Sequence, residues 1–191
     1  IKTLNIGIEK IGKIYHIADV HIRNLKRHSE YRDVFSQLYG QILSTMAEND
    51  IIVVAGDIVH AKTDMSPEVV DLTQEFFTRL SDLLPTIVIP GNHDANLNNP
   101  SRMDALQPIV NALKLDNLYY LRDTGVWKIG NCSFSHQSVF DESPGFPPPV
   151  DIEGCDYKIA LFHGAVDKIV TEFGFVIENK KVLVDNFKGY D

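Results

Sequence analysis

Apolar residues run along this chain in two rhythms. Lys13–Ala18, Ile51–Ala55 and Thr86–Ile89 are short runs rich in β-branched and aliphatic residues. Ile51–Ala55 in particular has no polar position, as expected of a strand in a sheet covered on both sides. Between these runs the period lengthens. Tyr31–Glu48 carries Val34, Phe35, Leu38, Ile42, Leu43 and Met46 at helical spacing. Ser66–Leu84 carries Val69, Val70, Leu72, Phe76, Phe77, Leu80 and Leu83, an apolar surface wider than one core stripe needs. Ser66 is the predicted N-cap, Pro67 the first helical position, and Glu68 sits by the positive helix end. Arg102–Leu113 predicts a third helix, kinked or started late by Pro108.

At the start, Ile1–Glu9 and Lys13–Ile17 read as two strands joined by a turn at Gly12. After Leu115 the texture is strand-rich: Leu118–Leu121, Val126–Ile129, Cys132–His136 and Lys158–Phe162. Asp141–Cys155, with its Pro147–Pro149 run, reads as a long irregular loop. Phe173–Ile177 and Lys181–Val184 predict a closing hairpin across Glu178-Asn179-Lys180. A β-α-β-α-β half followed by strands predicts an α/β sandwich with a mixed sheet core. A chain of 191 residues favours one domain.

Composition changes this picture little. The chain is 44% hydrophobic and 23% charged, an ordinary globular balance. No apolar stretch reaches the roughly 20 residues that span a membrane, and Ile1–Ile14 shows no secretory signal. Cys132 and Cys155 lack metal-type spacing and read as reduced thiols of an intracellular protein. The net charge of −8 excludes wrapping of nucleic acid by bulk charge. It does not exclude a nuclease, because metals held by acidic ligands make the local field positive. The basic cluster Arg23, Lys26, Arg27 and His28 reads either as a solvated loop or as a phosphate-contacting one.

The chemistry lies where the apolar runs end. Asp19-Val-His21, Gly56-Asp57-Ile-Val-His60 and Gly91-Asn92-His93-Asp94 follow three strands in order, and His163-Gly164 follows a fourth. Strand ends of open α/β sheets are where such folds place ligands. The set is oxygen and imidazole without thiolate, which suits hard-to-borderline divalent metals. Asp57 has two oxygens to share between two ions, and Gly56 lets the backbone approach closely. Asn92 offers a neutral carbonyl oxygen. His93 would face substrate, with Asp94 orienting its ring. His16 and His136 read as structural histidines.

These strings resemble the signature of the calcineurin-like metallophosphoesterases, in the correct order over most of the chain. The resemblance implies two facing mixed sheets flanked by helices, with a dinuclear site, usually manganese. Asp19, His21 and Asp57 would serve one metal, and Asp57, Asn92 and His163 the other. His93 matches the catalytic histidine, and His60 a second substrate-side histidine. The motif ending in His60, and the run of basic loop, Tyr31–Asp33 and long helix, resemble the SbcD-type DNA repair nucleases. That likeness implies DNA as substrate, an SbcC-type ATPase partner, and a homodimer through helices 31–49, 66–84 and 102–113. Arg23, Lys26 and Arg27 would then touch DNA. The family's G-H-x-H motif is absent from a chain that stops at Asp191. The expectation is therefore a metallophosphoesterase core over 1–191, cut before that motif, without the capping and ATPase-binding regions. A phosphodiesterase or phosphatase acting on nucleotides or small phosphoesters is the alternative enzyme. A binding module with a decayed site is the third reading, and the intact strings through His163 speak against it.

Overall fold

A computed structural model describes residues 1–178 and 181–191. The chain divides into two compact units, Ile11–Arg122 and a second built from Ile1–Lys10 with Asp123–Asp191.

The Ile11–Arg122 unit alternates strand and helix. Its strands are β2 (Ile14–Ile17), β3 (Ile51–Ala55), β4 (Thr86–Ile89) and β5 (Leu118–Tyr120), following a short β1 (Lys2–Thr3) in the other unit. Its helices are α1 (His28–Thr45), α2 (Pro67–Leu83) and α3 (Gln107–Leu113). The strands pair in the order β2-β3-β4-β5, every pair parallel. Strands laid down in sequence by crossovers of one hand put their helices on one face. Accordingly α1, α2 and α3 share a core with Ile52, Val54, Val88 and Leu118 of the sheet. Ile51, Val53, Ile87 and Ile89, which point the other way, are buried as well.

The predicted start of α2 holds in detail. Ser66 takes an extended backbone and its hydroxyl accepts from the Val69 N–H. Of the wide apolar surface of α2, Val69, Leu72, Phe76, Phe77 and Leu80 are almost fully buried, and Val70 and Leu83 are half-buried. α1 begins at His28, ahead of the predicted Tyr31, and its buried line is Phe35, Tyr39 and Ile42. Val34 and Leu43, predicted for that line, flank it and stay exposed. α3 starts late, because the Asp104 carboxylate accepts from the backbone N–H groups of Leu106 and Gln107 and holds Arg102–Asp104 outside the helix.

The second unit holds β1, β6 (Gly125–Ile129), β7 (Cys132–Gln137) and β8 (Tyr157–Phe162), with a short 3-10 turn at Val184–Phe187. Its sheet runs β1-β6-β7-β8 and is mixed: β6 and β7 are antiparallel, the outer pairs parallel. The predicted strand over Ile1–Glu9 shrinks to Lys2–Thr3. Gly7 takes φ 76° and its N–H bonds the Asn5 side chain, so the apolar alternation there bends away. The predicted closing hairpin is also displaced. The hairpin formed is Lys168–Ile177, with bonds Lys168 N–H to Ile177 O and Ile177 N–H to Ile169 O. Gly174, at φ 81°, turns its tip, and the Thr171 hydroxyl accepts from the Phe175 N–H. Lys181–Val184 forms no strand, and Asn179-Lys180 of the predicted turn lie outside the described residues. Cys132 and Cys155 are both free thiols. Among the described residues no helix is long and apolar enough to cross a membrane.

Candidate active site

Because the sheet of the Ile11–Arg122 unit is parallel, β2, β3 and β4 release their polar strings at one edge. The first two strings are zipped together. Asp19 N–H donates to Gly56 O (3.2 Å), His21 N–H to Asp57 O (2.9 Å) and Ile22 N–H to Ile58 O (2.9 Å), while His60 N–H returns to Ile22 O (3.0 Å). This continues the β2–β3 pairing past the sheet. It also holds three side-chain-bearing residues in the left-handed region: Asp19 at φ 56°, His21 at 50° and Asp57 at 54°. Such a conformation costs about 1–2 kcal/mol per residue, and strain of this kind gathers at functional sites.

The third string is bound to the second through carboxylates. The Asp57 carboxylate, on a residue 3% exposed, accepts from the His93 N–H at 2.8 Å. Gly56, at φ 84°, makes the turn, but the close approach falls at Gly91. A Cβ there would collide with the Asp57 carboxylate and backbone nitrogen. The sequence points to Asp94 as the residue that orients the His93 ring, and the structure corrects this. The Asp94 carboxylate accepts from Gly91 N–H (2.8 Å), Val59 N–H (2.9 Å) and Ile58 N–H (3.3 Å). It fastens the two loops to each other. Burial pushes its pKa up to about 6, against the downward pull of those three donors. The His93 ring is instead held by its own Nδ1–H, which donates to the His60 carbonyl at 2.9 Å.

Three imidazoles stand together on this scaffold. The His21 and His93 ring centres are 4.8 Å apart, edge to face, and His60 stacks on His93 at 5.2 Å and 19°. His21 lies between the carboxylates, its Nε2 3.5 Å from Asp57 and 3.7 Å from Asp19. Its Nδ1 is buried and has no hydrogen-bond partner among the described residues. The Tyr31 hydroxyl fixes its backbone by donating to His21 O. His60 is held below the usual histidine range by desolvation, by the Arg23 guanidinium, and by the His93 and His21 rings.

Two carboxylates converging on one imidazole, on strained backbones, form an oxygen-rich donor set that fits a hard divalent ion. Asp19, His21 and Asp57 are thus brought together, with the Asn92 loop beside them. His163 follows β8 in the other unit and is half-buried. In the basic loop, Arg23 and Lys26 are exposed, whereas Arg27 grips Glu30 through Nε (2.7 Å) and Nη2 (2.5 Å).

Two residues escape sequence reasoning. Lys62 donates to Asn92 O at 3.3 Å. Asn24 accepts from Ser66 N–H and donates to Asp64 O, tying the basic loop to the start of α2. A single Lys or Asn in a loop carries no periodic or spacing signal, so nothing in the sequence marks them.

Residues 12–185 match the family model described as calcineurin-like phosphoesterase. An uncharacterized protein of Acanthamoeba polyphaga mimivirus is 43% identical over 190 residues, which is 95% of this chain and 14% of that protein. The chain therefore spans about one seventh of that relative's length. Among solved structures, the Pseudomonas putida nuclease MPE aligns with a TM-score of 0.43 at 19% identity, over 86% of this chain and 67% of that one. A protein of unknown function from Aquifex aeolicus aligns with a TM-score of 0.32 at 16% identity, over 69% and 64%.

Proposed function

The chain belongs to the calcineurin-like phosphoesterase family, and from that premise we propose that it is a metal-dependent nuclease of the SbcD type. It would hydrolyse DNA phosphodiester bonds, as exonuclease, endonuclease or both, in repair or recombination. The observation that carries this reading is the stacked pair His60 and His93 beside the Asp19, His21 and Asp57 donor set. Exposed Arg23 and Lys26 on the adjoining loop support a phosphate-rich polymer as substrate.

Asp19, His21 and Asp57 would hold one ion, and Asp57, Asn92 and His163 a second, with Mn2+ proposed for both. Bound there, such ions supply Lewis-acid polarisation of the phosphate and a water of lowered pKa. The chain's own residues do the rest. The His60 carbonyl, accepting from His93 Nδ1–H, leaves Nε2 to stabilise or protonate the departing sugar oxygen. The Asp57 carboxylate meanwhile holds the His93 backbone in place. DNA, an SbcC-type ATPase and a second copy, paired through 31–49, 66–84 and 102–113, are the proposed partners.

The test is Mn2+-dependent cleavage of end-labelled double-stranded DNA, compared with a small chromogenic phosphodiester. Cleavage lost in both Asp57→Ala and His93→Ala, with Mn2+ binding lost only in Asp57→Ala, would support the nuclease. Turnover of the small diester alone would move the protein to the phosphodiesterase class.

A further inference from the structure

His21 belongs to two donor sets at once. One is rich in oxygen: its Nε2 stands 3.5 Å from Asp57 and 3.7 Å from Asp19. The other is imidazole alone: His21, His60 and His93 each offer a ring nitrogen, and these atoms lie within 4.8 Å of one another. The two sets attract different ions. Carboxylate and carbonyl oxygens suit Mg2+ and Mn2+, whereas imidazole suits Zn2+, Cu2+ and Ni2+. Three imidazoles with an open fourth position form a familiar zinc arrangement.

From this we infer a second, inhibitory metal site. We propose that His21, His60 and His93 capture a borderline divalent ion such as Zn2+, in competition with the ion of the carboxylate site. The inference rests on the reading of Asp19, His21 and Asp57 as the working metal site.

The geometry is within reach. Three nitrogens about 2.1 Å from one ion lie roughly 3.4 Å apart, so the rings must close by little more than an ångström. The buried His21 Nδ1 has no hydrogen-bond partner among the described residues, so turning this ring breaks no bond at that atom. His93 spends its Nδ1 on the His60 carbonyl, leaving Nε2 for an ion. A borderline ion seated there takes His21 from the carboxylates and occupies the His93 nitrogen that faces the leaving group. The site therefore reads metal identity: a hard ion activates, and a borderline ion closes it.

The experiment is a crossed metal titration of the whole chain. Zn2+ is titrated by calorimetry with and without saturating Mn2+, and Co2+ is used as an absorbing substitute whose visible bands grow intense at a four-coordinate site. Folding of each variant is checked by circular dichroism. In the wild type, Zn2+ should bind against excess Mn2+. His60→Ala should weaken Zn2+ about tenfold or more and leave Mn2+ affinity unchanged. Asp19→Asn, which suits the left-handed backbone there and leaves the Asp57 bond to the His93 N–H intact, should weaken Mn2+ binding about tenfold or more and leave the Co2+ bands of the imidazole site in place. His60→Gln serves where His60→Ala does not fold. Zn2+ affinity that falls in Asp19→Asn and is unmoved in both His60 variants would overturn the proposal, placing Zn2+ among the carboxylates. Mn2+ affinity unmoved in Asp19→Asn would instead overturn the reading of the carboxylate site.

Discussion

The loop edge of the parallel sheet and the Lys168–Ile177 hairpin of the other unit solve the same task differently. Each must carry polar backbone beyond the end of a strand. The hairpin does so locally: its bonds run between residues at most nine apart, and its tip leaves Phe173 and Phe175 on the surface, 78% and 72% exposed. The loop edge does so across the chain. Asp19 and His21 bond Gly56 and Asp57, and Asp94 reaches back to Ile58 and Val59. Local closure tolerates change at its tip. Cross-chain closure lets three residues sit in the left-handed region and fixes side chains that a free loop would scatter.

The largest effect that would break this contrast is at Asp57, which is both a proposed ligand and the acceptor of the His93 N–H. Asp57→Ala should lower kcat/KM by about a thousandfold or more, read by DNA cleavage, since its loss strikes metal and loop together. Gly91→Ala keeps every candidate ligand and should still cost about a hundredfold in kcat, because displacing a site by about 1 Å has that scale of effect. Activity within twofold of wild type in Gly91→Ala would mean the loops yield freely.

The next test lies in the other unit. His136 on β7 is fully buried beside Trp127, and burial pushes its pKa down to about 4. The folded protein thus favours the neutral ring. Its stabilising share is whole above the unfolded value of about 6.5 and is lost as pH falls from there to about 4, up to roughly 3 kcal/mol. His136→Phe should flatten the fall of Tm over that window without moving the pH profile of cleavage. Smaller again is Ser66→Ala, expected to cost about 0.5–1 kcal/mol in chemical denaturation by removing the α2 cap. Phe173→Ser should shift stability by less than about 0.5 kcal/mol, as an exposed tip residue.

What was legible in the sequence follows the same divide. β3, β4 and the Ser66-Pro67 start of α2 were legible because apolar runs and caps are local signals. So were the strings that meet at the sheet edge, since parallel strands release their ends on one side. The shortening of Ile1–Glu9 was hidden because one glycine, Gly7, outweighs an alternating pattern. The role of Asp94 was hidden because its neighbour in sequence is His93, while two of its partners lie 35 and 36 residues away. Val34 and Leu43 were misplaced because helical spacing gives a broad face, and only packing against α2 selects Phe35, Tyr39 and Ile42.

The ladder between Asp19–Ile22 and Gly56–His60 has a consequence for descent. Surface loops are ordinarily where insertions and deletions accumulate. Here one added residue would put each donor opposite the wrong carbonyl, so neither segment can change length alone. Length variation among descendants of this gene would be confined to the stretches after Ile22 and after His60, where the paired backbones part.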